Sequence, residues 1–154
     1  MAYMQHLVFL GADHAGLDLK VSLLEHLEMR GVHVEDLGAY TLDPNDDYPQ
    51  FASAVAEAVL SHEGSLGILV CGNAEGVCMV ANKFDGIRAG IGFSIEATQT
   101  MRTDDDANIL CLPGRIKTKD DPLLIAETFL QTHPSHEERH KRRLAQIQEI
   151  EKTV

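Results

Sequence analysis

The six residues Cys71-Gly72-Asn73-Ala74-Glu75-Gly76 join an apolar run to an amphipathic segment. A strand that ends in a glycine-bearing loop and runs into a helix turns backbone N–H groups toward a ligand, where they can hold an oxyanion or a phosphate. Cys71, at the base of that loop, could act as a thiolate stabilised by those amides, and so as a base or nucleophile. Composition alone favours a plainer role, a small buried hydrophobe at a strand end. The loop is no dinucleotide fingerprint, because it is not G-x-G-x-x-G and has no acidic ribose reader at the expected distance. Asp13-His14 lies between two glycine-bearing turns, where Asp13 can cap the next helix and His14 offers an imidazole. Asp47-Tyr48-Pro49 reads as a capping aspartate and a first-turn proline, which leaves the Tyr48 hydroxyl as the unexplained donor.

Arg139-His140-Lys141-Arg142-Arg143 holds four of the chain's 13 basic side chains. On a helix Arg139 and Arg143 are i and i+4 and share a face, so their guanidinium forks can grip one phosphate. Taken in isolation, such a run is more simply a solvated charged face. Cys78 and Cys111 read as core, and Lys83 as a helix end that complements the dipole.

These residues must be positioned by short apolar runs that alternate with helix-length amphipathic segments, the pattern of βα units feeding a parallel sheet. Strands are predicted at His6–Gly11, Val32–Leu37, Gly67–Val70, Ile87–Ile91 and Asn108–Leu112. Leu17, Val21, Leu24 and Leu27 make the apolar face of a first helix that Gly31 ends. Further helices are predicted at Tyr48–Leu60, Gly76–Lys83 and Ile95–Arg102, with a fifth from about Asp121-Pro122. A charged terminal helix over Glu137–Lys152 carries a thin stripe of Leu144, Ile147 and Ile150, suited to a partner or a neighbouring face. The expected division is an α/β domain over 1–134 and a C-terminal helix over 135–154. Ligands of a parallel sheet sit at the carboxyl ends of its strands. That edge collects Asp13, His14, Cys71, the Gly72–Gly76 loop and, after the fifth strand, Pro113-Gly114-Arg115.

The 154 residues suffice for one domain with a real core. With 24 acidic against 13 basic side chains the net charge is −11, which argues against nucleic acid or an anionic membrane as main partner. Three cysteines are too few for a disulfide framework and none has structural zinc spacing, so a reducing cytoplasm fits and no metal is expected. No stretch approaches the roughly 20 apolar residues of a membrane span, and the start lacks the basic and apolar regions of a secretory signal.

GADHAGLDLK, GVHVEDLGAYTLDPNDDYPQFA, GILVCGNAEGVCMVANKFDGIRAG, DDANILCLPGR and ERHKRRLAQI together resemble the RpiB/LacAB sugar-phosphate isomerase family over nearly the whole chain. The resemblance implies a homodimer, or a tetramer built on it, of Rossmann-like three-layer α/β/α subunits with a five-stranded parallel sheet. It also implies no metal or nucleotide cofactor, and aldose–ketose interconversion of a phosphorylated sugar through a cis-enediolate. It assigns proton transfer between C1 and C2 to Cys71, and enediolate stabilisation to Gly72, Asn73 and Gly76. Phosphate binding falls to His14, Arg139 and Arg143, often across the dimer, and sugar contacts to Asp13 and Tyr48, with Arg115 at the same edge.

The sequence departs from the family at two points. The family segment R-x-H-N-D-A-N is here Arg102-Thr103-Asp104-Asp105-Asp106-Ala107-Asn108, so Asp104 stands where the ring-opening histidine does and Asp105 where the enediolate-binding asparagine does. The family loop C-G-T-G-x-G has lost a hydroxyl and a glycine and gained Glu75. Either Asp104 opens the ring as a carboxylic acid, its pKa raised by neighbouring acids, or the substrate needs no ring opening. A catalytically inactive sugar-phosphate-binding or scaffold protein is the alternative from another class, opposed by the retention of Cys71, Asp13, His14, Tyr48 and both arginines.

Overall fold

The computed structural model describes residues 5–154; the first four residues of the domain expected over 1–134 lie outside it. Five parallel strands stand in the order β2-β1-β3-β5-β4: β1 Leu7–Ala12, β2 His33–Asp36, β3 Leu66–Cys71, β4 Ala89–Ile91 and β5 Ile109–Pro113. The helices are α1 Leu17–Met29, α2 Tyr48–Ser61, α3 Glu75–Ala81, α4 Ile95–Asp105, α5 Pro122–Gln131 and α6 Glu138–Thr153. None is long and apolar enough to cross a membrane.

The central strands are buried on both faces, as a sheet covered by helices requires. Val8, Leu10, Ala12, Ile68, Val70, Leu110 and Leu112 point to one side, packed with Leu23 and Leu27 of α1 and Ile125 and Phe129 of α5. Phe9, Leu69, Cys71, Ile109 and Cys111 point to the other, against Val55 and Val59 of α2 and Val77 of α3. This period-2 alternation gives the three-layer α/β/α fold expected from the sequence. From β1 the chain turns one way to β2 and then returns across β1 to β3, which opens a crevice at the carboxyl ends of β1 and β3.

One boundary and one capping role differ from the sequence reading for physical reasons. The fourth helix does not stop at Arg102 but runs through Thr103, Asp104 and Asp105, against a dipole that disfavours acids at its end. The cost is offset by a clasp. Asp106, the C-cap with φ 44°, accepts from the Arg102 guanidinium at 2.8 Å and lies 3.4 Å from that of Arg88. Asp47 occupies the N-cap of α2 but makes no capping hydrogen bond, so its expected capping role reduces to backbone geometry.

α1 carries one charged side chain into the interior. Lys20 is 1% exposed, and its Nζ donates to both oxygens of Asp36 at 2.7 Å and to the Ala39 carbonyl at 2.6 Å. With Ala12 N–H donating to Gly38 O at 2.7 Å and Ala39 N–H to Ala12 O at 2.6 Å, this pins the segment after β2 to the end of β1.

Candidate active site

A cavity of about 630 Å³ opens at the β1/β3 crevice, lined by Asp13, His14, Ala15, Tyr48, Cys71, Gly72, Asn73, Gly76, Met79, Arg115 and Ile116. Eight of the twelve residues named from the sequence meet there: Asp13, His14, Tyr48, Cys71, Gly72, Asn73, Gly76 and Arg115.

Cys71, the last residue of β3, is 3% exposed, and its sulfur lies 3.8 Å from Asn73 Oδ1. The same Asn73 oxygen accepts from the Glu75 N–H at 3.1 Å, so the side chain ties the sulfur to the turn that starts α3. Ala74 turns the chain with φ 68°, the left-handed region, although it is fully buried. The turn leaves the N–H groups of Asn73, Ala74 and Gly76 without hydrogen-bond partners among the described residues. Donors without partners at the start of a helix are where an anion is held.

The neighbouring thiols differ in kind. Burial pushes the Cys111 thiol well above its ordinary range, and the Cys78 and Cys71 sulfurs push it the same way. A hydrogen bond from Cys111 holds the half-buried Cys78 below its ordinary value. Cys111 therefore stays protonated, and Cys71 is the only thiol lining the cavity.

Asp13 does not cap α1, whose N-cap is Gly16; its Oδ1 accepts from the Gly16 N–H at 3.1 Å and closes the turn that precedes the helix. His14 is held by Asp46, whose Oδ1 accepts from the His14 backbone N–H at 3.0 Å and from ring Nδ1 at 2.6 Å. The β5 loop closes the floor. Gly114 N–H donates to Cys71 O at 2.7 Å, and a Cβ at Gly114 would stand 2.5 Å from Ala15 O, so only glycine fits between the two loops. Across the cavity mouth the Tyr48 ring lies over Gly76, where an added Cβ would be 2.7 Å from Cζ. Tyr48 is partly exposed and can swing aside. Gly76→Ala is therefore expected to cost under about 1 kcal/mol of stability while displacing Tyr48 and weakening substrate binding several-fold, read by chemical denaturation and by KM.

Asp104, Asp105, Arg139 and Arg143 do not line this cavity within the single chain. Asp104 and Asp105 end α4 and Arg139 and Arg143 lie on α6, and these two helices meet at another corner. Ser135 N–H donates to Thr103 O at 3.0 Å, and the buried His140 puts Nε2 3.8 Å from Asp104 and Nδ1 2.7 Å from Ser135 Oγ. Arg139 is exposed and pairs with Glu137 at 2.8 Å. The expected stripe is largely uncovered, with Ile147 at 41% and Ile150 at 61% exposure beside a groove that also holds Ile87 and Met101. Sequence reasoning missed Ala15, Met79, Ile116 and Asp46. The first three carry no chemical signature, and Asp46 was passed over for its neighbour Asp47 in the capping position.

The family model for Ribose/Galactose Isomerase matches residues 8–147. A probable ribose-5-phosphate isomerase B of Mycoplasma pneumoniae is 40% identical over 144 residues, covering 94% of each chain. The Escherichia coli ribose-5-phosphate isomerase B is 37% identical over 92% of this chain and 93% of its own. The crystal structure of ribose-5-phosphate isomerase B from Mycoplasma genitalium with bound ribulose-5-phosphate superposes with a TM-score of 0.91 at 40% identity, covering 98% of this chain and 99% of that one. Fold and pocket, with these likenesses, define an aldose–ketose isomerase. The chain belongs to the Ribose/Galactose Isomerase family, matched over nearly its full length.

Proposed function

We propose that this chain interconverts an aldose phosphate and its ketose by moving one proton between C1 and C2, with Cys71 as the base. The observation that carries the reading is the cavity at the β1/β3 crevice, in which the thiol stands beside partnerless loop amides and within reach of His14, Tyr48 and Arg115. Abstracting a proton α to a carbonyl needs a base and a preorganised home for the oxyanion that forms. The Cys71 thiolate takes the carbon-bound proton, and the amides of Gly72, Asn73 and Gly76 receive the enediolate charge. The same thiol then returns the proton to the adjacent carbon. Asp13 and Tyr48 contact the sugar hydroxyls, and His14 and Arg115 hold the phosphate, which keeps C1 and C2 in register with the sulfur.

The site is completed by a second copy of the chain. Arg139 and Arg143 lie on α6, which carries the uncovered Ile147 and Ile150 and meets α4 at a corner where His140 approaches Asp104. A homodimer that lays this corner over the partner's cavity buries the apolar stripe and brings two guanidinium forks to the phosphate, which is the role assigned to residues 135–154. Three thiols and no disulfide accord with work in the cytoplasm.

The relatives' names point to the ribose 5-phosphate and ribulose 5-phosphate pair as substrates. Asp104 and Asp105 favour a second reading, in which the substrate needs no furanose opening. A four-carbon aldose 4-phosphate is such a substrate, because its C4 oxygen carries the phosphate and cannot close the ring. The test sets a tetrose 4-phosphate beside ribose 5-phosphate, scored by proton exchange at C1 and C2. Faster exchange on the tetrose supports the second reading, and efficient turnover of ribose 5-phosphate sinks it. Exchange on no sugar phosphate overturns the isomerase reading and leaves a binding protein.

A further inference from the structure

We propose that Asp46 is a positioning residue for the substrate phosphate, acting through His14; the inference rests on the cavity's being a sugar-phosphate site. Residues 40–45 and Asp47 are exposed, yet the Asp46 side chain is only 6% exposed. A turn presents it: Asp46 N–H donates to Asp43 O at 3.1 Å, and Asn45 N–H to Asp43 Oδ1 at 3.0 Å. Burying a carboxylate is costly unless it is well paired. Asp46 directs Oδ1 to His14 alone, accepting the backbone N–H at 3.0 Å and ring Nδ1 at 2.6 Å, while Oδ2 is buried with no partner among the described residues.

Two hydrogen bonds to consecutive groups of one residue fix both its backbone and its ring. With Nδ1 committed to Asp46, Nε2 is the ring nitrogen left for the cavity that His14 lines. One ring nitrogen then donates to the carboxylate and the other to the phosphate, and the ring is held before the ligand arrives. Preorganisation of this kind appears in ligand affinity, because an untethered imidazole must be ordered at the moment of binding. Asp13, the other acid beside His14, is occupied with the Gly16 N–H and supplies no such restraint. The anchor reaches further back, since the segment carrying Asp46 begins at the contacts Lys20 makes with Asp36 and Ala39.

The test measures inorganic phosphate binding by calorimetry and steady-state kinetics with whichever sugar phosphate the enzyme turns over. Asp46→Ala is expected to weaken phosphate binding and raise KM about tenfold, the size of a lost hydrogen bond to a charged group, with kcat changed less than threefold. Asp46→Asn keeps the Oδ1 acceptor and is expected to recover both to within threefold. In a His14→Ala background Asp46→Ala is expected to change phosphate affinity less than twofold, since the imidazole through which Asp46 acts is gone and only its bond to the backbone N–H of residue 14 remains. An unchanged phosphate affinity in Asp46→Ala, or an equal loss with and without His14, overturns the inference. If Asp46→Ala does not fold, Asp46→Leu, which fills the space without an acceptor, takes its place. Absence of turnover in the wild type would instead tell against the isomerase reading, while the phosphate measurements still decide the role of Asp46.

Discussion

Replacing Cys71 by alanine is expected to reduce proton exchange between C1 and C2 by about 10²- to 10⁴-fold, the range contributed by a positioned acid–base group, and to leave phosphate affinity within about threefold. The asymmetry follows from the geometry. Cys71 lies at the end of β3, while the groups assigned to the phosphate, His14 and Arg115, come from the loops after β1 and β5. The side chain is 3% exposed and packs with Phe9, Val55 and Val77, so alanine leaves a small void but no buried polar group without a partner. Serine is expected to be as inactive as alanine, because its hydroxyl is a far weaker acid than a thiol and supplies little anion at neutral pH. Turnover in Cys71→Ala within tenfold of the wild type would remove the thiol from the chemistry and turn attention to the carboxylates, Glu75 first. Calorimetry with inorganic phosphate, run on the same preparations, separates lost chemistry from a lost fold.

Lys20→Met is expected to destabilise the fold by about 3 kcal/mol, the lower end of the range for removing one partner of a buried ion pair. The lower end applies because Asp36 keeps its bond from Gly38 N–H at 2.9 Å and is 22% exposed, so water can meet part of its charge. The loss is expected to come with a raised KM, since the segment that Lys20 pins leads on to Asp46 and Tyr48. Adding Asp36→Asn to Lys20→Met should restore part of the stability, because the stranded charge is then gone. Urea denaturation of the two single variants and the double variant decides the point. A double variant no more stable than Lys20→Met would show that the stranded Asp36 charge is not the source of the loss, and would point to the bond Lys20 gives the Ala39 carbonyl.

Much of this architecture was legible in the sequence because it rests on local patterns. Alternating apolar runs and amphipathic segments place all five strands and six helices, and the residues following β1, β3 and β5 fall at the crevice because parallel topology sends every strand's carboxyl end to the same edge. Local patterns do not reveal partners that are distant in the chain. Asp46 meets His14 across 32 residues and Lys20 meets Asp36 across 16, and neither pairing leaves a periodic trace. The end of α4 was misread for a similar reason. The expected helix ended at Arg102, and the Arg88 contact that helps close it after Asp105 arrives from another segment. Arg139 and Arg143 are legible as a pair but not as part of the cavity, which they do not reach within one chain.

The clasp of Arg88 and Arg102 around Asp106 bears on how this protein could have changed over its history. Its contacts run to Asp106 and to backbone carbonyls, and among the described residues none engages the Asp105 side chain, so the identity of position 105 is nearly decoupled from folding. Substitutions there could accumulate without loss of the scaffold and be sorted by selection on the ligand alone. A lineage with such a clasp can explore new chemistry at that corner through viable intermediates, one residue at a time.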